Sequence, residues 1–131
     1  VIYINYMFNI LYHNKIYNTK TFNLLNLKLL NKLMLNIIQN INKAFDHRIR
    51  LGIMSILMVN ESADFNMLKE LLGVTDGNLA SHTKALEAEN YIQIEKQFIG
   101  KKPNTKYSAT KEGREAFTAH IEALEKLIKK S

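Results

Sequence analysis

The residue types that usually carry out catalysis are few in this chain, and their spacing does not build an active site. Cys is absent, which excludes a thiol nucleophile, a disulfide framework and a Cys-ligated zinc or iron–sulfur centre. The four His residues, at positions 13, 47, 82 and 120, form no HxxxH or HExxH pair, and no GxGxxG or GxxxxGK(S/T) phosphate loop is present. The sequence therefore predicts a protein that is not an enzyme and that uses no cofactor or metal.

Residues 75–89 carry polar side chains suited to a different chemistry, the reading of a nucleic acid. As a helix, this segment places Leu79, Thr83 and Leu86 on one face, at spacing i, i+4, i+7. The opposite side is short or polar, and an Asn there can pair with adenine while a Ser can donate or accept. Asp76 would repel phosphate, so we expect it to cap the helix or to lie aside. A solvated polar face is the alternative interpretation. The candidates for DNA contacts on this helix are Thr75, Gly77, Asn78, Ser81, His82 and Lys84.

A second cationic patch lies between residues 96 and 106. Its four lysines give a charge of +4, and the span contains no acidic residue. Pro103 is expected to stiffen a turn and Asn104 to occupy its corner. Lysines on such a loop can reach the sugar-phosphate rim or the minor groove. The alternative is a hairpin edge whose lysines block strand pairing. The candidates for DNA contacts here are Lys101, Lys102, Asn104 and Lys106.

The punctuation of residues 43–131 predicts a scaffold that would hold both patches. We expect a helix over 43–59, a short helix capped by Asn66 and ended by Gly73, a helix from Thr75 to about residue 90, strands over 91–98 and 106–109 joined by a turn at 100–104, and a helix from Thr110 to about residue 130. The core is expected to contain Phe45, Ile49, Ile53, Leu68, Leu71, Leu79 and Leu86. A short helix, a tight Gly turn and a second helix form a helix-turn-helix, and the hairpin after it is a wing. The predicted fold class is mainly α with a small β-hairpin wing, a winged helix-turn-helix.

The last predicted helix carries an apolar stripe. Phe117, Ile121, Leu124 and Ile128 recur at spacing 4, 3, 4. A helix of about 20 residues is a rod of roughly 30 Å, which would overhang a small domain. We expect the stripe to form a two-fold dimer interface, the commonest arrangement in homo-oligomers. The alternative is that the stripe packs on its own domain.

Composition changes sharply near residue 42. Residues 1–42 contain ten Asn, eight Leu, four Lys and no acidic residue, so they hold +4 of the net charge of +6. One interpretation is upstream sequence included by a misplaced start, with the working protein beginning near Met34. The other is an extra helix with an apolar seam of Leu27, Leu30, Met34, Ile37 and Ile41. No run of about 20 apolar residues could span a membrane, so no membrane partner is predicted, although an interfacial amphipathic helix remains an alternative.

Three blocks of the sequence resemble MarR/ArsR-like winged helix-turn-helix transcriptional regulators. Residues 45–54 (FDHRIRLGIM) resemble their opening helix, 71–87 (LLGVTDGNLASHTKALE) their turn and recognition helix, and 98–114 (FIGKKPNTKYSATKEGR) their wing and the start of the last helix. The resemblance covers about residues 36–131 and implies a dimeric bacterial or archaeal DNA-binding regulator. It places Asn78, Ser81, His82 and Lys84 where the family contacts the major groove, and Lys101 and Lys102 at the wing tip.

Two departures from the family pattern limit what the resemblance implies. The Cys residues with which the ArsR branch binds metal are absent, so metal sensing is not expected. The extra helices that form the effector pocket of larger MarR members are mostly missing from the sequence, so a small-molecule effector stays unknown.

These observations divide the chain into an N-terminal Asn/Leu-rich extension, residues 1–42, and a winged helix-turn-helix domain, residues 43–131, with a C-terminal dimerisation helix. We expect this domain to bind double-stranded DNA as a homodimer and to regulate transcription from an operator in the cytoplasm. The charge of residues 43–131 is only +2. That small excess leaves open an alternative function, a winged-helix module that binds proteins and has no affinity for DNA.

Overall fold

The computed structural model describes residues 19–129, with side chains from residue 23 onwards. The elements in chain order are α1 (Thr19–Gln39), a 3-10 helix (Lys43–Phe45), α2 (Arg48–Val59), β1 (Ala63–Asp64), α3 (Phe65–Leu72), α4 (Asp76–Ala88), β2 (Ile92–Ile99), β3 (Lys102–Ala109) and α5 (Lys111–Ile128). The strands form an antiparallel sheet in the order β1-β3-β2. The predicted fold class, mainly α with a small β-hairpin wing, is confirmed.

The described residues form two compact units. Residues 42–119 are one, and residues 19–41 together with residues 120–129 are the other. Helix α5 therefore begins in the first unit and ends in the second. Within the described range, no helix is both long enough and apolar enough to cross a bilayer.

The core of the unit formed by residues 42–119 is built from the 3-10 helix, α2, α3, α4, the sheet and the start of α5. Its fully buried side chains are those of Phe45, Ile53, Met54, Leu57, Leu68, Leu79, Leu86, Ile92 and Thr83. The predicted core position of Leu71 is wrong, because its side chain is 61% exposed. The eight-residue α3 buries Leu68 and half-buries Leu72, which share a face one turn apart, and Leu72 lies against Gly52 of α2.

The predicted continuous helix over 43–59 is interrupted at residues 46–47. Asn42 caps the 3-10 helix, where its Oδ1 accepts a hydrogen bond from the Ala44 amide at 2.9 Å. His47 then caps α2, and its Nδ1 accepts from the Ile49 amide at 3.3 Å. The His47 ring also stacks on the ring of His82 in α4, with centroids 4.0 Å apart. The interruption therefore turns a capping residue towards α4.

The start of the helix-turn-helix is set by the sheet. We predicted that Asn66 caps α3, but the cap is Asp64, whose Oδ1 accepts from the Met67 amide at 2.8 Å. Asp64 is extended because it pairs with Lys106 of β3, so it is available as the cap. The end of α3 agrees with the prediction, since Gly73 has a left-handed φ of 60°.

The hairpin turn is shorter than predicted. Instead of spanning residues 100–104, it contains only Gly100 and Lys101, because Ile99 pairs directly with Lys102. Gly100 has φ 65°, and a Gly at this position is typical of a two-residue type II′ turn. Pro103 consequently lies within β3. It is tolerated there because β1 pairs with β3 only at residues 106 and 107, which leaves the outer edge of β3 unpaired at Pro103.

The junction between the sheet and α5 is tightly packed. Thr110 caps α5 as predicted, where its Oγ1 accepts from the Gly113 amide at 2.9 Å and donates to the Asn90 carbonyl at 2.7 Å. Gly113 lies so close to the Tyr91 carbonyl that a Cβ at this position would overlap it. The Arg114 guanidinium donates to the carbonyls of Leu57 and Met58, at 3.0 and 3.2 Å, at the end of α2.

Gly113→Ala should destabilise the protein strongly. The added methyl group would force apart the start of α5 and the Tyr91 backbone, and neither is a flexible side chain that can move aside. We expect a loss of about 3 kcal/mol in the free energy of unfolding, measured by urea denaturation. The matched control is Gly77→Ala, because nothing lies within 4 Å of the added Cβ. This control should be neutral or more stable by up to about 1 kcal/mol. Equal effects of the two variants would contradict the packing described.

The lowered pKa of His82 predicts that the stability of the unit depends on pH. Burial, followed by the charges of His47 and Arg50, lowers the pKa of His82 from its ordinary value. The unfolded chain therefore binds a proton more readily at His82 than the folded chain does. The resulting stability is complete above about pH 6.5, the pKa of an unfolded His, and is lost as the pH falls through the folded pKa.

We expect the free energy of unfolding to fall between about pH 7.5 and pH 5, and His82→Gln to reduce this dependence. Urea denaturation at a series of pH values measures both. Lys84→Gln is the control, because it changes the same helix and leaves both histidines in place. If His82→Gln and Lys84→Gln follow the same pH profile as the wild type, His82 does not carry the effect.

Candidate nucleic-acid interface

One face of α4 is fixed in the core, as its spacing predicted. Leu79 and Leu86 are completely buried and Thr83 is 2% exposed. The Thr83 hydroxyl donates to the Leu79 carbonyl at 2.9 Å, and Tyr107 of β3 has Thr83 and Glu87 of α4 among its neighbours. Burial raises the pKa of Tyr107, whose ring belongs to the core of the sheet. The orientation of α4 about its axis is therefore fixed relative to the hairpin.

The opposite face of α4 is open to solvent. Gly77, Asn78, Ser81 and Lys84 are all exposed, and nothing lies within 4 Å of the point where a Cβ on Gly77 would be. Short side chains and an uncovered backbone allow a phosphate or a base edge to approach closely. The four candidates thus lie on one accessible surface.

The first turn of α4 contains two further side chains with assigned roles. Thr75 is the N-cap, and its Oγ1 accepts from the Asn78 amide at 3.3 Å. Asp76 forms an ion pair with Lys69 of α3, with 2.6 Å between carboxylate and ammonium. Because Lys69 offsets its charge, Asp76 repels an approaching phosphate less than an isolated carboxylate would. The expectation that Asp76 lies aside therefore has a structural basis.

His82 differs from the other candidates on α4. It is only half-exposed because its ring is stacked on His47. One ring face is therefore covered, although its edges are not fixed by that contact. Sequence reasoning treated His47 as an ordinary surface or core residue and missed this pairing. No local signal could have revealed it, since the two histidines lie far apart in sequence and on different helices.

The lysines of the hairpin do not all have the same surroundings. Lys96, Lys101 and Lys102 are exposed at the end of the hairpin. Lys106 is half-buried and lies opposite Glu95 on one side and Asp64 on the other in the sheet register. Its charge is therefore offset by two acidic neighbours that belong to different segments of the sequence.

Asn104 does not lie at the corner of the turn, as predicted, but inside β3 opposite Gln97. Its Oδ1 is buried, and within the described part of the chain it has no hydrogen-bond partner. The residues Asp64, Phe65, Asn66, Pro103, Asn104 and Thr105 line a cavity of about 260 Å³ beside it. Asn104 thus lies beside the start of α3, next to Pro103 in β3.

The hairpin tip has an apolar character that the sequence analysis missed. Phe98 is 75% exposed and Ile99 is 61% exposed, at the end of β2. The loosely alternating pattern of β2 gave no reason to expect two adjacent apolar side chains in solvent. A two-residue turn, once known, places both of them at the tip.

The apolar stripe of α5 is divided between two environments. The Phe117 ring packs edge-on against the ring of Phe45, with centroids 5.3 Å apart, and is 6% exposed. Phe117 therefore belongs to the core of its own domain, contrary to its assignment to a dimer interface. Ile121 and Leu124 are half-buried, whereas Ile128 is 80% exposed.

Among the described residues, no group of three or more His, Asp or Glu side chains is placed to hold a metal ion.

Comparisons with known sequences agree with this architecture. The family model for the winged helix DNA-binding domain matches residues 49–128. A protein of Methanocaldococcus jannaschii, described as uncharacterised, is 37% identical over 87 residues, which are 66% of this chain and 95% of that protein. The family-model match spans the helix-turn-helix, the hairpin and the whole of α5.

Solved structures show the same arrangement of elements. A transcriptional regulator homologue from Pyrococcus horikoshii OT3 is similar with a TM-score of 0.65 and 28% identity, over 72% of this chain and 92% of that one. The S. aureus MepR–DNA complex has a TM-score of 0.58 at 12% identity, over 77% and 83% of the two chains, which is a likeness of fold. The chain thus belongs to the winged helix DNA-binding domain family, and the predicted resemblance to MarR-like transcriptional regulators is confirmed.

Proposed function

We propose that this protein regulates transcription by binding an operator in duplex DNA as a homodimer. In this proposal α4 enters the major groove and the hairpin, the wing, lies along the adjacent backbone. One observation carries the proposal: the exposed polar face of α4 and the exposed lysines of the hairpin belong to the same compact unit, which the family model covers. The major groove, about 12 Å wide, accepts a helix of this kind.

The first set of contacts is assigned to the exposed face of α4. Asn78 and Ser81 lie one turn apart on an accessible surface, and we assign them to base edges because an amide and a hydroxyl can read them. Thr75 and Gly77 precede them at the helix N-terminus, where backbone amides and the helix dipole favour a phosphate. Lys84 extends this surface and suits a phosphate further along the strand.

The second set of contacts is assigned to the wing. Lys101 and Lys102 are exposed at the turn, and Lys96 is exposed on the neighbouring strand. We assign these ammonium groups to backbone phosphates, where each neutralised phosphate releases condensed counterions and makes binding depend on salt. Lys106 contributes less in this proposal, because Asp64 and Glu95 lie on either side of it in the sheet. Asn104 also contributes less, because it lies beside the start of α3.

The homodimer is supported by the apolar surface of the second unit. Many of the exposed large apolar side chains lie on α1: Leu24, Leu25, Leu27, Leu29, Leu30, Met34, Leu35 and Ile38. Leu127 and Ile128 at the end of α5 are also exposed. Monomeric proteins rarely expose apolar surface on this scale, and a second copy that covers it would form an isologous interface. We therefore assign dimerisation to Ile121, Leu124 and Ile128 of α5 together with α1.

A matched pair of variants tests the assignment of α4 and the wing. Asn78→Ala should change the order of preference among duplexes selected from a random pool, because a base contact discriminates by about 1–3 kcal/mol. Lys101→Ala with Lys102→Ala should weaken binding to all duplexes equally. This double variant should also flatten the plot of log K against log salt by roughly 1.8, about 0.9 for each lost phosphate contact.

Each variant serves as the control for the other, since one should alter sequence ranking and the other salt dependence. If Asn78→Ala leaves the order of preference among duplexes unchanged, another element reads the bases. If the double lysine variant keeps the wild-type slope of log K against log salt, the wing lysines do not contact the DNA backbone. Absence of any salt-dependent binding of the wild type to duplex would favour the alternative function, a winged-helix module that binds proteins.

Ile121→Asp with Leu124→Asp should give a folded monomer. Charges placed in an apolar interface are strongly unfavourable, whereas the compact unit of residues 42–119 does not contain these positions. A dimer reads two half-sites about 34 Å apart, so loss of the second should weaken operator binding by about 100-fold or more. Light scattering and circular dichroism measure assembly and folding. Exposed Glu122 on the same helix supplies the control, Glu122→Lys, which should stay dimeric. A double variant that stays dimeric would assign the interface to α1 alone, and one that unfolds would assign the stripe to the core.

A further inference from the structure

The outer part of the hairpin is an arm that extends beyond the core. Strand β1 pairs with β3 only at residues 106 and 107, so residues 96–105 form a two-stranded ribbon without a third strand. Ile94 and Tyr107, which face each other in the register, are the last core positions along the hairpin. Phe98 lies four residues further along β2, about 13 Å at the rise of an extended strand.

The end of this arm is apolar. Phe98 is 75% exposed, and Ile99 beside it is 61% exposed. In the register Phe98 lies opposite Pro103, and Ile99 lies opposite Lys102 immediately before the two-residue turn. Neither side chain is needed to bury the core, which ends at Ile94 and Tyr107. Two large apolar groups at a narrow tip are therefore presented to something outside this unit.

The charges around the tip indicate what it would contact. Lys96, Lys101 and Lys102 are exposed around Phe98, and the span from residue 96 to residue 106 contains no acidic residue. This arrangement is complementary to a polyanion with an apolar interior. The DNA minor groove is such a surface, since phosphates line its rims and stacked bases form its floor. Proteins that bend DNA there insert Phe, Leu or Ile between base steps.

We propose that Phe98 is an apolar wedge that the wing inserts into the minor groove and that unstacks a base step. The wedge rests on the proposed function, because it requires α4 and the wing to bind duplex DNA. It adds a source of specificity that no polar side chain supplies. Pyrimidine–purine steps are the most easily unstacked, so such a step under the wing would be preferred.

The experiment uses the full chain and an alternating dA–dT duplex of about 30 base pairs, three helical turns, with 2-aminopurine in place of single adenines. The fluorescence of 2-aminopurine rises when the base is unstacked. We expect the wild type to raise it and Phe98→Ala to abolish the rise. Phe98→Ala should also bind about ten-fold more weakly, the effect of losing one aromatic stacking contact, with an unchanged salt slope. Phe98→Trp should restore the signal.

Two controls separate the wedge from a charge effect and from misfolding. Lys101→Ala with Lys102→Ala should flatten the salt slope but keep the fluorescence rise at saturation. Phe98→Ala should melt at the wild-type temperature, because its ring contributes little to the core.

The outcomes distinguish failure of the wedge from failure of the proposed function. A wild type that shows no salt-dependent affinity for the duplex would overturn the function and the wedge together. Salt-dependent binding without a fluorescence rise, or with equal affinity of Phe98→Ala, would overturn the wedge alone. If Phe98→Ala changes only the binding of anionic phospholipid vesicles, the wedge is overturned and the tip is assigned to a membrane surface. If it changes only the light scattering of the free protein, the wedge is overturned and the tip is assigned to a contact with a second copy.

Discussion

The attachment of α4 to the sheet is the constraint on which the rest of the structure depends. Leu79, Thr83 and Leu86 are buried along one side of this helix, and the buried Tyr107 of β3 lies near that side, with Thr83 and Glu87 among its neighbours. Because three side chains on one face are closely packed in the core, the rotation of α4 about its axis is fixed as well as its position. The polar face is turned outward for the same reason. Because Tyr107 also ends the core of the hairpin, a single residue relates the recognition surface to the base of the wing.

Local charge determines the binding surface in this protein, and the net charge of +6 describes it poorly. Four of the lysines behind that value lie in the first 42 residues, and Lys106 faces Asp64 and Glu95 across the sheet. The ion pair between Lys69 and Asp76 similarly removes an unfavourable carboxylate from the first turn of α4. Exposed Lys84 on α4 and a small set of exposed lysines at the wing remain, and in the proposed function they would contact a few phosphates. A dimer doubles that footprint without requiring a more basic domain.

The sequence correctly predicted structural features that depend on neighbouring residues. Its predictions were wrong where contacts between distant segments determine the structure. Gly73, Thr75 and Thr110 end or begin helices as expected, because a left-handed φ or a capping hydroxyl is a local requirement. The cap of α3 was misassigned, since Asp64 is extended only through its pairing with β3. The turn was predicted too long because Pro is usually a turn residue. Only the sheet register shows that the outer edge of β3 is unpaired at Pro103, which lets Pro103 lie within the strand. Phe117 belongs to a regular stripe, yet its aromatic contact with Phe45 gives it a different role. Likewise the polar face of α4 was predictable from spacing, whereas the His47–His82 stack and the exposed tip required the tertiary fold.

The small number of base-reading side chains on α4 constrains how this protein can recognise one site among many. Asn78 and Ser81 are the exposed groups on this helix best suited to base edges, and His82 is partly covered by His47. Two such contacts discriminate by roughly 2–6 kcal/mol, whereas regulators commonly bind their specific sites about 4–10 kcal/mol more tightly than non-specific DNA. In the proposed function, the remainder comes from the spacing of two half-sites, which a dimer would measure, and from the deformability of the duplex. A wing tip that combines an apolar end with flanking lysines is suited to sense deformability, because its apolar contact forms only where the bases can separate. The proposed function therefore implies recognition by shape as much as by hydrogen bonds.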